Sequence, residues 1–246
     1  MKESSKSIFS VFPELEFVSP DMGNATERSI HSYVIRTNKL HTFQLDAVKN
    51  YYAHYGLGYQ NSPIDFKEIF HNDHPVVMEI GFGMGTSTSR IAKERPEFNY
   101  IGVEVFLNGF TKLLDTVGKE ELENVRLMRF DAVRVLSDMI ADNSLAGFHI
   151  FFPDPWPKKR QQKRRLIQKD FAALLSKKLC SGGYIYCATD WEEYADQMVD
   201  VFAHTKGLHN PYEKFAPSRQ WRPTTKYEQR GMDLSFKIKE VWFVKD

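Results

Sequence analysis

Short runs of consecutive apolar residues alternate along most of this chain with longer stretches in which apolar residues recur every three or four positions. A continuous apolar run is typical of a strand buried on both faces, and the wider spacing is typical of an amphipathic helix. The apolar runs predict strands at Val76–Ile80, Tyr100–Val105, Val125–Phe130, Gly147–Phe152, Tyr184–Thr189 and Val241–Val244. The amphipathic stretches predict helices at Phe43–Tyr55, Thr86–Glu94, Phe106–Val117, Val133–Ile140, Leu166–Leu179 and Trp191–His204.

This alternation of strand and helix predicts an α/β fold with a doubly wound, mostly parallel sheet covered by helices on both faces. Val241–Val244 follows no long helix, so we expect it to pair antiparallel at the edge of the sheet. Residues 1–42 are rich in Ser, Asn and charge and predict an irregular N-terminal arm, whereas residues 43–246 predict a single domain. Ligands of such sheets bind outside the carboxyl ends of the strands, and candidate residues are therefore sought there.

Composition narrows the class of protein only moderately. Hydrophobic residues make up 42% of the chain, enough for a large core, and the formal net charge of +1 conceals a basic cluster after Trp156 that predicts a polarised surface. Cys180 and Cys187 are too few for a disulfide framework and are predicted to be reduced thiols. Without a signal peptide, a membrane span or histidines at zinc spacing, the sequence predicts a cytoplasmic protein that binds no metal.

A glycine-rich loop follows the first predicted strand. Glu79 lies near the end of that strand, and Gly81, Gly83 and Gly85 follow it. Glycines allow a tight turn and a close approach of the backbone to a ligand. A dinucleotide fingerprint would have its third glycine at position 86, where this chain has Thr, and a P-loop would require a lysine that is absent here. The loop by itself is also compatible with a simple strand-to-helix connection.

Two further acids follow the next two strands. Glu104 ends the second strand, where a carboxylate can accept hydrogen bonds from ribose hydroxyls. Asp131 ends the third strand, where its carboxylate, with the Ala132 amide nearby, can bind an adenine. Each acid alone would also serve as a strand terminus or a helix N-cap. Together with the glycine loop they predict a site for a nucleoside without a pyrophosphate, and S-adenosylmethionine is the candidate cofactor.

The segment 151–165 reads FFPDPWPKKRQQKRR and carries the strongest functional signal. Pro153 and Pro155 restrict the backbone on both sides of Asp154, and Trp156 adds a flat apolar surface. A rigid carboxylate and a base-stacking ring beside a phosphate-binding cluster predict a site that holds one nucleic-acid base. For Trp156 we favour the alternative of packing against the sheet. The basic cluster consists of Lys158, Lys159, Arg160, Lys163, Arg164 and Arg165, and its alternative is a solvated helix face.

The chain resembles the bacterial tRNA (guanine-N7-)-methyltransferase family. The motifs that carry this resemblance are EIGFGMG at 79–85, GVEV at 102–105, DA at 131–132, FPDPWPKKRQQKRR at 152–165, TD at 189–190 and PTTKYEQRG at 223–231. The resemblance implies a class I S-adenosylmethionine-dependent fold that methylates a guanine in the variable loop of tRNA. It also implies that Glu79, Glu104, Asp131 and Asp154 contact the cofactor and that Asp154 is catalytic. Substrate contacts are implied for Lys158, Asp190, Thr225, Lys226, Tyr227 and Glu228.

The chain departs from the family pattern at a few positions. Tyr227 stands where a Phe is usual, and Gln161 replaces a common His. The segment SYVIRTNKLHTFQ at 32–44 retains Arg36 but otherwise matches the family's N-terminal motif loosely. Some of the matched residues also have possible structural roles. Asp190 could cap the helix that follows it, and Thr225 and Glu228 have the spacing of a capping box.

Methylation at guanine N7 needs no general base, because N7 carries a lone pair and no proton. We therefore expect Asp154 to orient the guanine and to stabilise the positive charge that builds on the purine, rather than to remove a proton. Two alternatives stay open from the sequence. One is an exocyclic-amine methyltransferase, whose motif has the order Asp-Pro-Pro instead of the Pro-Asp-Pro found here. The other is a non-catalytic RNA-binding protein on the same fold.

Overall fold

The structure is a computed structural model that describes residues 12–15, 42–224 and 237–246. Its helices are α1 (Thr42–Tyr55), α2 (Phe66–Phe70), α3 (Thr86–Glu94), α4 (Leu107–Lys119), α5 (Ala132–Met139), α6 (Lys169–Lys178) and α7 (Glu192–Ala203). Its strands are β1 (Val76–Ile80), β2 (Asn99–Val103), β3 (Val125–Met128), β4 (Leu145–Phe151), β5 (Leu179–Thr189), β6 (Leu208–His209) and β7 (Lys239–Lys245). Two 3-10 segments, Pro13–Leu15 and Lys159–Arg164, complete the described elements.

The strands form one sheet in the order β3-β2-β1-β4-β5-β7-β6. Strands β1 to β5 pair in parallel, and β7 pairs antiparallel with β5, from Tyr184 opposite Val244 to Thr189 opposite Lys239. The predicted doubly wound sheet with an antiparallel edge is confirmed. The strand order reverses between β1 and β4, which is the switch point where such sheets bind ligands.

Two apolar clusters hold the helices against the two faces of the sheet. On one face α1, α3 and α4 pack through residues such as Val48, Ile91 and Phe110. On the other face α5, α6 and α7 pack through residues such as Leu136, Leu175 and Phe202. The strands β1, β2 and β3 are buried along their whole length, which explains their largely apolar sequences.

The helix predicted at Leu166–Leu179 is shorter than the periodicity indicated. The chain first makes a 3-10 segment, passes through an extended Arg165, and only then enters α6 at Lys169. The interruption has a tertiary cause, since the Ile167 N–H donates to the Tyr194 hydroxyl of α7 at 3.0 Å instead of to a helical carbonyl. Strand β5 conversely begins five residues earlier than predicted, at Leu179, where it pairs with Leu145 across an irregularity in the ladder.

The predicted N-terminal arm lies largely outside the described residues, so its boundary at residue 42 stays a prediction. Within the described part of the arm, the Leu15 side chain is buried and Phe12 makes an edge-on contact with Tyr52 of α1. Both cysteines are free thiols, with Cys187 buried and Cys180 half-buried. Among the described helices none has the length and apolar character needed to cross a membrane.

Candidate active site

The glycine loop, residues 81–85, connects β1 to α3 at the switch point of the sheet. Gly81, Gly83 and Gly85 all have positive φ angles, of 75°, 57° and 73°. This conformation costs other residues about 1–2 kcal/mol each. At Gly85 a Cβ atom would also lie 2.5 Å from the Leu113 Cβ of α4, so a side chain has no room there. The positive φ angles and this close approach explain the three glycines.

A cavity of about 200 Å³ opens above the glycine loop. Its wall combines the carboxyl end of β1, the loop, the first turn of α3 and the end of β4. The lining residues are Glu79, Gly81, Phe82, Gly83, Met84, Gly85, Thr86, Ser87, Phe151 and Phe152. The cavity is therefore lined both by predicted cofactor residues and by the residues that lead into Asp154.

Glu79 places a buried carboxylate at this cavity. Its Oε2 atom is buried and has no hydrogen-bond partner among the described residues. Burial raises the pKa of Glu79 from its usual 4.5 to about 7; the Thr88 hydroxyl opposes this rise, and repulsion from Glu104 adds to it. A buried acid whose charge is uncompensated is suited to pair with a cationic group that enters the cavity. This observation fits the amino group of S-adenosylmethionine.

The raised pKa of Glu79 predicts a pH dependence of cofactor binding. Because the acid is protonated below about pH 7 and a cation requires the carboxylate, affinity for S-adenosylmethionine is expected to fall as pH decreases through 7. Calorimetry in buffers of different ionisation enthalpy should detect a proton released on binding near pH 6.5. A Glu79→Gln variant should bind more weakly and lose both effects, and a proton release that persists in this variant would assign the titration to another group.

The same shift has the opposite sign for the stability of the free protein. Folded Glu79 retains a proton that the unfolded chain loses above its usual pKa of 4.5. The contribution of this group to the free energy of unfolding therefore falls between about pH 4.5 and 7. The Glu79→Gln variant should not show this contribution.

Glu104 is hydrogen-bonded to the glycine loop, and its predicted contact with the ribose stays a prediction. Its Oε2 accepts a hydrogen bond from the Gly83 N–H at 2.7 Å, and its Oε1 accepts from the N–H groups of Val105 and Phe106 at 2.8 and 2.9 Å. Burial raises the pKa of Glu104, the three backbone donors oppose this, and repulsion from Asp154 adds to it. Glu104 follows β2 and Asp154 lies in the turn after β4, so both are at the same edge of the sheet.

Asp131 follows β3 and is the N-cap of α5. Its Oδ1 accepts a hydrogen bond from the Arg134 N–H at 3.1 Å, so the capping role considered from the sequence is present. Ala132 is the first residue of α5. The predicted adenine contacts of both residues stay predictions, and their place at the end of β3 is compatible with them.

The turn that carries Asp154, residues 152–156, is constrained by more than its prolines. Phe152 and Trp156 have φ angles of 51° and 41°, a conformation that non-glycine residues rarely adopt. Each such residue costs about 1–3 kcal/mol and persists only where surrounding contacts hold it. One of these contacts is the hydrogen bond from the Phe152 N–H to the Ala188 carbonyl of β5 at 2.7 Å. The Asp154 side chain itself is exposed.

The basic residues beyond the turn separate into two groups. Lys158, Lys159, Arg160 and Lys163, hereafter the basic turn, are exposed on or beside the 3-10 segment. The Arg164 guanidinium instead stacks over the Trp156 ring at 3.9 Å. Trp156 is half-buried under this cation and belongs to neither core cluster, so the favoured alternative of packing in the sheet does not describe it.

Arg165 does not belong to the predicted phosphate-binding surface, and this prediction is corrected. Only 3% of the residue is exposed. Its Nε donates to the Pro155 carbonyl at 2.8 Å, and its Nη1 donates to Gln197 Oε1 at 2.6 Å. The guanidinium also lies over the Tyr194 ring at 4.9 Å. Arg165 therefore links the Asp154 turn to α7, which a pattern of consecutive basic residues could not indicate.

Asp190 is exposed at the end of β5, on the same edge of the sheet. It does not cap the following helix, since α7 begins at Glu192 with Trp191 in the cap position and without a side-chain capping bond. The Trp191 N–H donates instead to Thr189 Oγ1 at 3.2 Å. The remaining predicted substrate residues, Thr225, Lys226, Tyr227 and Glu228, lie outside the described residues.

Sequence reasoning missed Gly109, which packs against the glycine loop from outside the motif. Gly109 lies in the first turn of α4, and a Cβ atom built on it would be 2.0 Å from the Gly83 carbonyl oxygen. A glycine within a helix normally reduces the stability of the helix. A glycine two residues after the helix start was therefore the only sign in the sequence that close packing is needed at this position.

In the described part of the chain no cluster of His, Cys, Asp or Glu could hold a metal ion.

The strand order, the glycine loop and the acids at the strand ends together define a class I S-adenosylmethionine-dependent methyltransferase. Solved structures with the same fold include the 16S rRNA methyltransferase KamB, with a TM-score of 0.57 and 12% identity over 77% of this chain and 97% of that chain. The aminoglycoside resistance methyltransferase NpmB1 superposes with a TM-score of 0.52 and 11% identity over 77% and 96% of the two chains.

Sequence comparison narrows the class further. Residues 73–241 match a family described as "Putative methyltransferase". The tRNA (guanine-N(7)-)-methyltransferase of Neisseria meningitidis serogroup C (strain 053442) is 45% identical over 88% of this chain and 91% of its own length. That of Bordetella pertussis is 44% identical over 92% and 88% of the two chains. The chain belongs to the tRNA (guanine-N(7)-)-methyltransferase family, and its cofactor is S-adenosylmethionine.

Proposed function

We propose that this protein transfers the methyl group of S-adenosylmethionine to N7 of a guanine in the variable loop of tRNA, in the cytoplasm. The observation that carries the proposal is the position of Asp154. An exposed carboxylate in a constrained turn adjoins a cavity suited to the cofactor, close enough to Glu104 to influence its pKa. The exposed basic turn begins four residues beyond it. Membership of the family supports the same assignment.

The residues of the cavity and the turn have separate tasks in this reaction. Glu79, Glu104 and the glycine loop are the residues that would hold the cofactor, which when bound supplies a methyl group activated by its sulfonium. Asp154 orients the guanine by accepting hydrogen bonds from N1–H and the exocyclic amine, and its negative charge stabilises the positive charge that develops on the ring. The basic turn contacts phosphates and determines the position of the RNA.

The chemistry at N7 explains why no general base is required. The N7 lone pair forms the new bond to carbon while the carbon–sulfur bond breaks, and N7 has no proton to lose. The product is a cationic 7-methylguanine. A fixed carboxylate therefore stabilises the positive charge on the purine as that charge develops during the transfer. Methylation of an exocyclic amine would instead end with loss of a proton and a neutral product.

The test is incubation of the purified protein with unmodified bulk tRNA and methyl-labelled S-adenosylmethionine, followed by nucleoside analysis. We expect the label in 7-methylguanosine, and fragment mapping should locate it in the variable loop. Label in a methylated exocyclic amine would contradict the proposal and support the alternative enzyme. Cofactor binding without transfer to any tRNA would contradict the proposed substrate.

The basic turn predicts a strong salt dependence of tRNA binding. If Lys158, Lys159, Arg160 and Lys163 each contact a phosphate, replacing all four with Gln should reduce the slope of log K against log salt by about 3. Fluorescence anisotropy of labelled tRNA between low and physiological salt measures this slope. The control is Lys177→Gln, whose exposed side chain pairs with Asp142 near the opposite end of the sheet. An unchanged slope in the quadruple variant would place the phosphate contacts elsewhere.

A further inference from the structure

A buried ion pair joins the last strand to the segment that covers the sheet beside the active site. Arg222 Nη2 and Glu240 Oε1 are 2.6 Å apart, and their side chains are only 2% and 4% exposed. Arg222 Nε also donates to the Tyr186 hydroxyl of β5 at 3.0 Å, and Ser218 Oγ donates to Glu240 Oε1 at 2.7 Å. The pair therefore connects residues 218–222 to β5 and β7.

A buried ion pair of this kind is weak evidence for a role in stability. Removing two charges from water costs several kcal/mol per ion, and apolar residues of similar volume are often as stable or more stable. An arginine paired in this way does, however, hold its planar guanidinium in one orientation. The residues that the Arg222 guanidinium contacts therefore indicate which part of the site the ion pair holds in place.

The guanidinium of Arg222 faces the entrance of the Asp154 turn. Its central carbon lies 5.8 Å from the centre of the Phe151 ring and 5.9 Å from that of Phe152. Phe151 ends β4, and Phe152 is the first residue of the turn with a positive φ angle. A cation over these rings contributes an attraction of about 0.5–2 kcal/mol each. This contribution is of the size that a strained residue requires to keep its conformation.

We propose that the Arg222–Glu240 pair positions the catalytic turn: it acts through Phe152 on Asp154 and thereby sets the alignment of the guanine with the methyl group. This inference rests on the proposed function. The basic turn is held by other contacts, the hydrogen bond from Gln162 to Glu193 at 2.6 Å and that from Arg165 to the Pro155 carbonyl. Disturbing Arg222 should therefore change turnover and leave phosphate binding intact.

The test compares Arg222→Lys and Glu240→Gln with the unchanged protein in steady-state tRNA methylation. Lysine keeps the charge next to Glu240 but lacks the second donor for Tyr186 and the planar surface for the rings. We expect kcat to fall by about 10- to 100-fold, the size of effect that a displacement near 1 Å produces. The KM for tRNA and the Kd for S-adenosylmethionine should each change by less than kcat falls, since neither the basic turn nor the glycine loop is altered.

A second ion pair, in which the lysine is buried and the acid is 41% exposed, provides the control. Lys178 Nζ contacts Asp142 Oδ1 at 2.8 Å and is 6% exposed, at the amino end of the sheet far from the turn. Asp142→Asn removes a carboxylate as Glu240→Gln does, and should lower the midpoint of thermal unfolding without lowering kcat. If kcat in both variants of the Arg222–Glu240 pair falls no more than in Asp142→Asn, or if cofactor affinity falls as much as kcat, the positioning role is wrong. An unmodified protein that methylates no tRNA would instead refute the proposed function.

Discussion

Replacing Asp154 with Asn is expected to lower kcat for tRNA methylation by about 10²- to 10³-fold, the loss typical of removing one preorganised group that stabilises charge in the transition state. Asparagine keeps the size of the side chain but removes the negative charge and replaces one of the two acceptor oxygens with an amide N–H donor, which guanine N1–H or its exocyclic amine cannot use. Single-turnover methylation with saturating cofactor measures this effect on the chemical step. The affinity for S-adenosylmethionine should decrease much less than the rate.

Two comparisons make the Asp154 prediction specific. Asp170→Asn removes an exposed carboxylate from the first turn of α6 and should leave the rate unchanged. The Asp154→Asn variant should also discriminate less strongly between guanosine and inosine in the target position, because inosine lacks the exocyclic amine that the carboxylate is proposed to bind. A variant with full turnover and unchanged selectivity would show that Asp154 does not contact the base.

Replacing Gly109 with Ala is expected to weaken S-adenosylmethionine binding by about 10- to 100-fold, since overpacking costs about 1–3 kcal/mol and each 1.4 kcal/mol is a factor of ten. The added Cβ would lie 2.0 Å from the Gly83 carbonyl oxygen. The loop cannot move away freely, because the Gly83 N–H is bound to Glu104 at 2.7 Å. Isothermal titration of the cofactor measures the loss of affinity.

The helix propensities of glycine and alanine make the Gly109 experiment informative. Alanine stabilises a helix interior by about 1 kcal/mol relative to glycine, so propensity alone would favour the variant. The control is Gly182→Ala, near the amino end of β5 and away from the site. Gly182 has a φ angle of 76°, and no atom lies within 4 Å of an added Cβ. This variant should lower stability and leave cofactor affinity unchanged. Wild-type affinity in Gly109→Ala would mean that α4 does not determine the position of the glycine loop.

Much of the fold follows from local patterns. The strand β1 and the helix α3 have the predicted bounds. Each has a clear apolar pattern, and the glycine loop between them marks where the strand ends and the helix begins. The start of the helix predicted at Leu166 was wrong, because the Ile167 N–H donates to the Tyr194 hydroxyl of α7 and not to a carbonyl of its own segment. Boundaries were thus predictable where local contacts determine them.

The candidate site divides in the same way. The position of Glu79, Glu104, Asp131 and Asp154 at one edge could be predicted from the sequence, because parallel strands bring their carboxyl ends together. Their contacts with cofactor and substrate stay predictions. Arg165 was assigned to the RNA surface because charge pattern does not reveal burial. The hydrogen bond from the Gly83 N–H to Glu104 likewise joins residues that are 21 positions apart in the chain.

The sequence by itself determined the sheet class, the family and the edge at which the reaction is proposed to occur, because periodicity and motif spacing are local properties that survive without a structure. Only the tertiary structure decided which basic residues are exposed, how Gly109 makes room for Gly83, and that Arg222 joins Glu240 beneath the Asp154 turn. These features depend on distances between segments that are remote in the chain. Such distances arise only when the helices and strands pack together.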